Sequence, residues 1–234
     1  MSANDNFFVK DGTGLTLFKV RAKDISTAQD GSLQAVRHMA TSYPVDYGIG
    51  GVFQVTSKSS SMAAGLAANS PIYAFRWTSA TFLGILRRVR ISAFTLGTGF
   101  ATGIMQFDMF RAMAWTVADT GGVVDTLSGD NGNLRTAMPG TVLAEIRHSS
   151  TATMVAGTRT LDNQPHDSLL LDARTVANGV CANRSPLFDK GGAADHPLVM
   201  VQNEGFVIQA TVPATGVWSF AITPEWDEVP LTSY

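Results

Sequence analysis

Leu83-Gly84-Ile85-Leu86-Arg87-Arg88-Val89-Arg90-Ile91-Ser92-Ala93-Phe94-Thr95-Leu96 is the run that decides the fold. Ile85, Val89, Ile91 and Ala93 alternate with Arg88, Arg90 and Ser92. Successive side chains of a strand point to opposite faces, so this two-residue period marks a strand with one buried face. Arg87-Arg88-Val89-Arg90 is the one dense basic run of the chain. On a strand Arg88 and Arg90 share a face, while Arg87 points to the other with Val89. Arginine is favoured at interfaces. Arg88 and Arg90 are therefore candidate contacts to an acidic partner or neighbouring subunit, beside the plainer account of a solvated face with local ion pairs.

The same pattern extends outward. On the N-terminal side, Ile72-Tyr73-Ala74-Phe75-Arg76-Trp77 is an aromatic-rich strand after Pro71. On the C-terminal side, Gly97-Thr98-Gly99 is a turn. After it, Ile104, Gln106 and Asp108 oppose Met105, Phe107 and Met109. Met and Ala are good helix formers, so residues 103–117 also permit a helix. Strand is preferred because neighbouring segments of equal length alternate. A hairpin turn accounts for residues 97–103 better than a nucleotide loop, because the spacing misses Gly-x-Gly-x-x-Gly by one residue.

Further out the signals shorten. Residues 7–22 suggest an extended arm or first strand, and 24–50 are irregular, with turn signals at Tyr43-Pro44 and Tyr47-Gly48. Residues 51–57 make a short strand, and 59–69 a loop or a single helical turn. Residues 142–147 are another strand, and 148–195 are long excursions with short strands. Asp119-Thr120-Gly121-Gly122 and residues 128–133 are turn clusters. Two strands close the pattern: 197–213, broken at Glu204-Gly205, and 216–229. Many short strands with Gly-rich turns, and no alternation of helix with strand, predict an all-β fold. The expected form is an antiparallel β-sandwich, jelly-roll-like, with long loops and an extended N-terminal arm. Residues 1–50 are the arm and irregular segment, and 51–234 the sandwich domain.

The 234 residues suit one large β domain. Charged residues make up 15%, against the ~25% usual for soluble domains. Such a surface leaves room to pack against other subunits. The net charge of -2 gives no basic field for nucleic acid or an anionic membrane. One cysteine, Cys181, excludes an intrachain disulfide framework, so a reducing cytosol suits folding and assembly. The polar N-terminus is not a secretory signal, and no apolar run has the length of a membrane helix.

Residues that carry chemistry are few and scattered. His38, His148, His166 and His196 include no i, i+4 pair and lie far from Cys181, so no metal site is expected. His166-Asp167-Ser168 has triad residue types, but adjacent residues cannot form a triad. Asp130-Asn131-Gly132-Asn133 offers calcium-type oxygens without the distal Glu of an EF-hand. Asp162 and Asp167 are the sole weak candidates for a glycosidase acid and base. No catalytic residue and no cofactor are expected. Trp77, Trp218 and Trp226 are candidate core or seam anchors. Glu204 is a candidate acceptor for backbone N–H groups or a partner for an arginine such as Arg76.

Three stretches carry a resemblance. They are Ser61 to Trp77, Ala156 to Asp162, and Gln202 to Ile208 followed by Trp218 and Glu225-Trp226-Asp227-Glu228-Val229. Together they resemble uncharacterised virion proteins of tailed bacteriophages, encoded near head genes. The resemblance implies a non-enzymatic capsid decoration, or cement, role. Its partners would be the major capsid protein and copies of itself, in a trimer, within a virion assembled in the host cytoplasm. Arg76, Trp77, Arg88, Arg90, Glu204, Trp218 and Trp226 would be its interface or structural anchors. A tail, baseplate or fibre-associated β module that binds host glycan is the alternative. A glycan hydrolase built on Asp162 and Asp167 stands third.

Overall fold

The computed structural model describes residues 6–10 and 16–21 by backbone alone, and 51–66, 69–127, 132, 134, 143–190 and 196–233. The chain divides into two compact units, Met1–His38 and Met39–Tyr234. In the first, β1 (Asn6–Lys10) and β2 (Thr16–Arg21) form an antiparallel pair with Phe7 opposite Val20. Two paired strands thus occupy this part of the region where an extended arm or first strand is expected. The irregular segment expected at 24–50 lies outside the described residues.

The second unit is a two-sheet antiparallel sandwich. Its strands are β3 (Gly51–Gln54), β4 (Ser57–Lys58), β5 (Met62–Ala63), β6 (Ser70–Trp77), β7 (Phe82–Leu96), β8 (Ile104–Val117), β9 (Val123–Val124) and β10 (Ala144–His148). They continue as β11 (Thr158–Leu161), β12 (Asp167–Asp172), β13 (Val180–Asp189), β14 (Leu198–Met200), β15 (Glu204–Thr211) and β16 (Val217–Pro230). The first sheet runs β11-β8-β15-β6-β10-β9, with β12 also on β8. The second runs β13-β7-β16-β3, with β14 on β7 and both β4 and β5 on β16. No α-helix occurs among the described residues, so 104–117 is strand.

Alternation builds the core. Tyr73, Phe75 and Trp77 of β6, Met105, Phe107 and Met109 of β8, and Phe206 and Ile208 of β15 point inward from the first sheet. Val89, Ile91 and Ala93 of β7 and Trp218, Phe220, Ile222 and Trp226 of β16 meet them from the second. Phe75 meets Trp226 edge-on across the sheets, with ring centroids 5.2 Å apart, and Phe107 lies 6.2 Å from Trp218. Each such burial is worth about 1.5–3 kcal/mol, which is why these positions define the register.

A smaller core lies on the outer face of the first sheet. Ala74, Ala112 and Val207 alternate with the inward residues and cluster there with Trp115 and Met154. Two crossing segments cover them. Residues 118–122 link β8 to β9, which the sheet order separates by three strands. Residues 149–157 return from β10 to β11. The two segments bond to each other through Thr120 and Val155, each N–H donating to the other's carbonyl at 2.9 Å.

Several local expectations need correction. Residues 97–103 are not a hairpin, because β7 and β8 belong to different sheets; they arch from one layer to the other. Residues 59–69 hold β5, which pairs Met62 with Trp218. The apolar run at 197–213 breaks at 201–203, where Asn203 has φ 65°, and not at Glu204-Gly205. Gly205 lies within β15, where any Cβ would overlap the Phe75 carbonyl oxygen. Arg87 does not point inward with Val89. Glu225 opposes Arg88 and Trp226 opposes Leu86, leaving Arg87 as the extra residue of a bulge. Leu86 and Val89 both enter the core as a result.

Candidate functional site

The three tryptophans singled out in the sequence are interior. Trp77 and Trp218 are 0% exposed and Trp226 is 2%. Each indole N–H has an acceptor: Trp77 donates to the Phe82 carbonyl at 2.8 Å, Trp218 to the Ala63 carbonyl at 3.2 Å, and Trp226 to Glu228 Oε1 at 3.3 Å. They hold the sandwich together and offer no surface to a partner.

The polar candidates lie apart from one another. Arg76 pairs with Glu145 across β6 and β10 at 3.1 Å. Glu204 takes the other role foreseen for it and accepts the Val201 N–H at 3.1 Å. Arg88 and Arg90 do share the outer face of the second sheet. Arg88 is held by Asp189 at 3.1 Å and Glu225 at 3.7 Å, and Arg90 stands opposite Thr223 and Pro186. Asp162 is in a two-pronged ion pair with Arg111 at 3.1 and 3.2 Å, and Asp167 accepts the Ser168 N–H. The two aspartates therefore have separate occupations. His166 packs its ring on Phe188, and His38 lies outside the described residues. So does most of the 130–133 loop. Among the described residues no group of three metal-ligating side chains forms.

One constellation escaped the sequence. Asp125, just after β9, accepts from Ser57 Oγ–H of β4 and from His148 Nδ1–H of β10, the latter at 3.2 Å. A carboxylate only accepts, so His148 must carry its proton on Nδ1. The Tyr73 hydroxyl lies within the electrostatic reach of the same group. Burial first, then the charge of Asp125, pushes the Tyr73 hydroxyl well above its ordinary pKa, against a smaller opposite effect of Ser57. The network ties β4 of the second sheet to β10 and the residue after β9 of the first.

Its residue types are those of a hydrolase, but its order is not. A triad places histidine between the acid and the serine, with the ring taking the serine proton. Here the acid is in the middle and accepts the serine hydroxyl's hydrogen bond itself. Ser57 is 1% exposed and His148 5%. The arrangement can clasp the two sheets together; with its serine buried it does not present a nucleophile. Residues 57, 125 and 148 are joined only by the fold, so no sequence spacing announces them.

Two further buried ion pairs mark the second unit. Arg159 pairs with Asp119, and its guanidinium lies 4.7 Å from the centre of the Trp115 ring. Asp119 also accepts the Gly157 N–H at 2.9 Å. Together they pin the crossing segments over the smaller core, and burial lowers the Arg159 pKa to about 10. Asp227, 0% exposed, pairs with the bulged Arg87. Burial raises its pKa to about 6, outweighing the opposing effect of Arg87, and Glu225 adds to the rise.

Large exposed apolar side chains occur in several places among the described residues, Val117, Val123, Val124, Val155, Val201 and Leu231 among them. Phe94, Ile104, Leu170, Val176 and Val180 are 40–61% exposed. All sit around the end of the sandwich that carries the 97–103 arch and the 173–179 turn. Phe94 opposes Val180 on the second sheet, and Leu170 lies diagonal to Ile104 on the first. Compared with known proteins, this sequence matches no family model and no curated protein.

Proposed function

We propose that the chain is a non-enzymatic structural component of a tailed-phage virion, a capsid decoration protein that binds across capsid subunits and stabilises the head. The apolar end of the sandwich carries this proposal. The exposed Phe94–Val180 pair on the outer face of one sheet and the Ile104–Leu170 pair on the outer face of the other offer apolar surface for burial against another protein. The sealed Ser57–Asp125–His148 clasp supports a binding role over a hydrolytic one. The low charge and the phage-like stretches support the same assignment, and with it the jelly-roll winding, the trimer and a virion location.

Quantitative mass spectrometry of purified phage particles, with a cryo-EM map, tests it. Copies in proportion to the capsid subunits, seated on the shell by the Phe94–Val180 end, are expected. A few copies confined to the tail would replace the head assignment with a tail, baseplate or fibre module. A chain missing from particles would overturn both. Phe94→Ser with Ile104→Ser should abolish shell binding while leaving the fold intact.

A further inference from the structure

Asn178-Gly179 occupies the exposed turn between β12 and β13. Asn178 is exposed and has φ 56°, in the left-handed region. Gly179 is required by its surroundings: a Cβ there would stand 2.9 Å from Arg174 Cβ and 3.0 Å from Val176 Cγ2. An asparagine followed by glycine is the pair most prone to deamidation, because no side chain shields the glycine nitrogen from the asparagine amide.

The step is an intramolecular substitution. Gly179 N loses its proton to solvent base and bonds to Asn178 Cγ. The Cγ–Nδ2 bond breaks and the nitrogen leaves as ammonia, closing a five-membered imide. Water opens the imide at either carbonyl, giving aspartate or isoaspartate. The attacking nitrogen must therefore be free to lose its proton and swing toward the side chain.

In the folded chain that nitrogen is held. Gly179 N–H donates to Thr95 Oγ1 at 2.7 Å, and the Thr95 hydroxyl donates onward to the Val176 carbonyl, also at 2.7 Å. Thr95 N–H donates to the Gly179 carbonyl at 2.9 Å. Thr95 is 0% exposed, so water does not compete for these bonds. The turn is tied further by Phe100 N–H to the Arg174 carbonyl at 2.8 Å and by Arg174 Nε–H to the Val180 carbonyl at 3.2 Å.

We propose that Asn178 is a deamidation site held in check by Thr95. Opening of this end of the sandwich releases the Gly179 nitrogen and converts Asn178 to aspartate or isoaspartate. The new charge falls between Val176 and Val180, on the apolar end described above.

The test incubates the folded chain, Thr95→Val, Thr95→Ser and a synthetic peptide spanning residues 172–182 at mildly alkaline pH. Peptide mapping with enzymatic isoaspartate labelling reads conversion at residue 178, and Asn178→Gln supplies the blank. The folded chain should convert more slowly than the peptide by on the order of tenfold or more, the effect of one or two hydrogen bonds. Thr95→Ser should follow the wild type and Thr95→Val should approach the peptide. Equal rates in folded chain and peptide would overturn the proposal. So would a Thr95→Val chain with unchanged near-ultraviolet circular dichroism and an unchanged rate. If Thr95→Val does not fold, the comparison of folded chain with peptide decides alone.

Discussion

Gly84 lies under the indole of Trp77, so close that a Cβ at position 84 would stand 2.8 Å from two carbons of the ring. Trp77 ends β6 in one sheet and Gly84 lies near the start of β7 in the other, and the Trp77 indole N–H bonds the Phe82 carbonyl between them. The missing side chain of one residue is thus the seat of the other. Gly84→Ala should lower stability by about 1–3 kcal/mol, the usual cost of overpacking a core. Urea denaturation followed by tryptophan fluorescence checks this.

Gly205→Ala should cost more. Its added methyl would run into the Phe75 carbonyl oxygen, and backbone cannot rotate aside as a ring can. We expect a loss above about 4 kcal/mol, or no cooperative unfolding at all. A midpoint shift smaller than that of Gly84→Ala would contradict the pairing of Gly205 with Arg76 across β15 and β6.

Asp227 makes stability depend on pH with an unusual sign. Its folded pKa of about 6 lies above the ordinary 3.8. Between these values the folded chain binds more protons than the unfolded one, so stability falls as pH rises. The contribution is complete below about pH 4 and gone above about pH 6, and amounts to about 3 kcal/mol at most. Asp227→Asn should flatten this slope. Denaturation midpoints of both chains from pH 4 to pH 7 provide the measurement.

Arg159 should not tolerate lysine. Its flat guanidinium covers the Trp115 ring while pairing with Asp119, and an ammonium reproduces only the charge. Arg159→Met leaves Asp119 charged and buried, at a cost of about 3–5 kcal/mol. Adding Asp119→Asn should recover part of that loss. A double-mutant cycle without coupling would show that the ion pair does not hold the smaller core.

Ser57→Ala should cost about 1 kcal/mol through the lost hydrogen bond to Asp125. A fluorophosphonate probe should leave Ser57 unlabelled, since its hydroxyl is buried and donates to the acid. Covalent labelling at Ser57 would show that the clasp opens into a working hydrolase.

The sandwich was legible where one face of a strand is buried and the other is not. Residues 83–96, 103–117 and 216–229 alternate for that reason, and the strands end within two residues of the predicted limits. The bulge at Arg87 was not legible, because the alternation on either side of an extra residue looks continuous. Nor was β5, whose two residues owe their extended shape to pairing with β16. Ser57, Asp125 and His148 come together only through the crossing of chain over sheet, and their residue types are ordinary turn and strand residues. Trp77, Trp218 and Trp226 were legible as anchors because apolar rings in alternating segments have nowhere else to go. The break after Met200 was not, because a glycine in a strand reads as a stop, although Gly205 is there to let two backbones approach.

β16 has an outcome for how this chain is made. It is synthesised after β3, β4, β5 and β7, yet it bonds all four. Until it emerges from the ribosome, half the sandwich has no central strand, and β7 displays its open edge to any other nascent chain. Closure over such long stretches of sequence is slow. Co-translational helpers, or dilute synthesis at low temperature, should therefore govern the yield of native protein more than the strength of the finished fold.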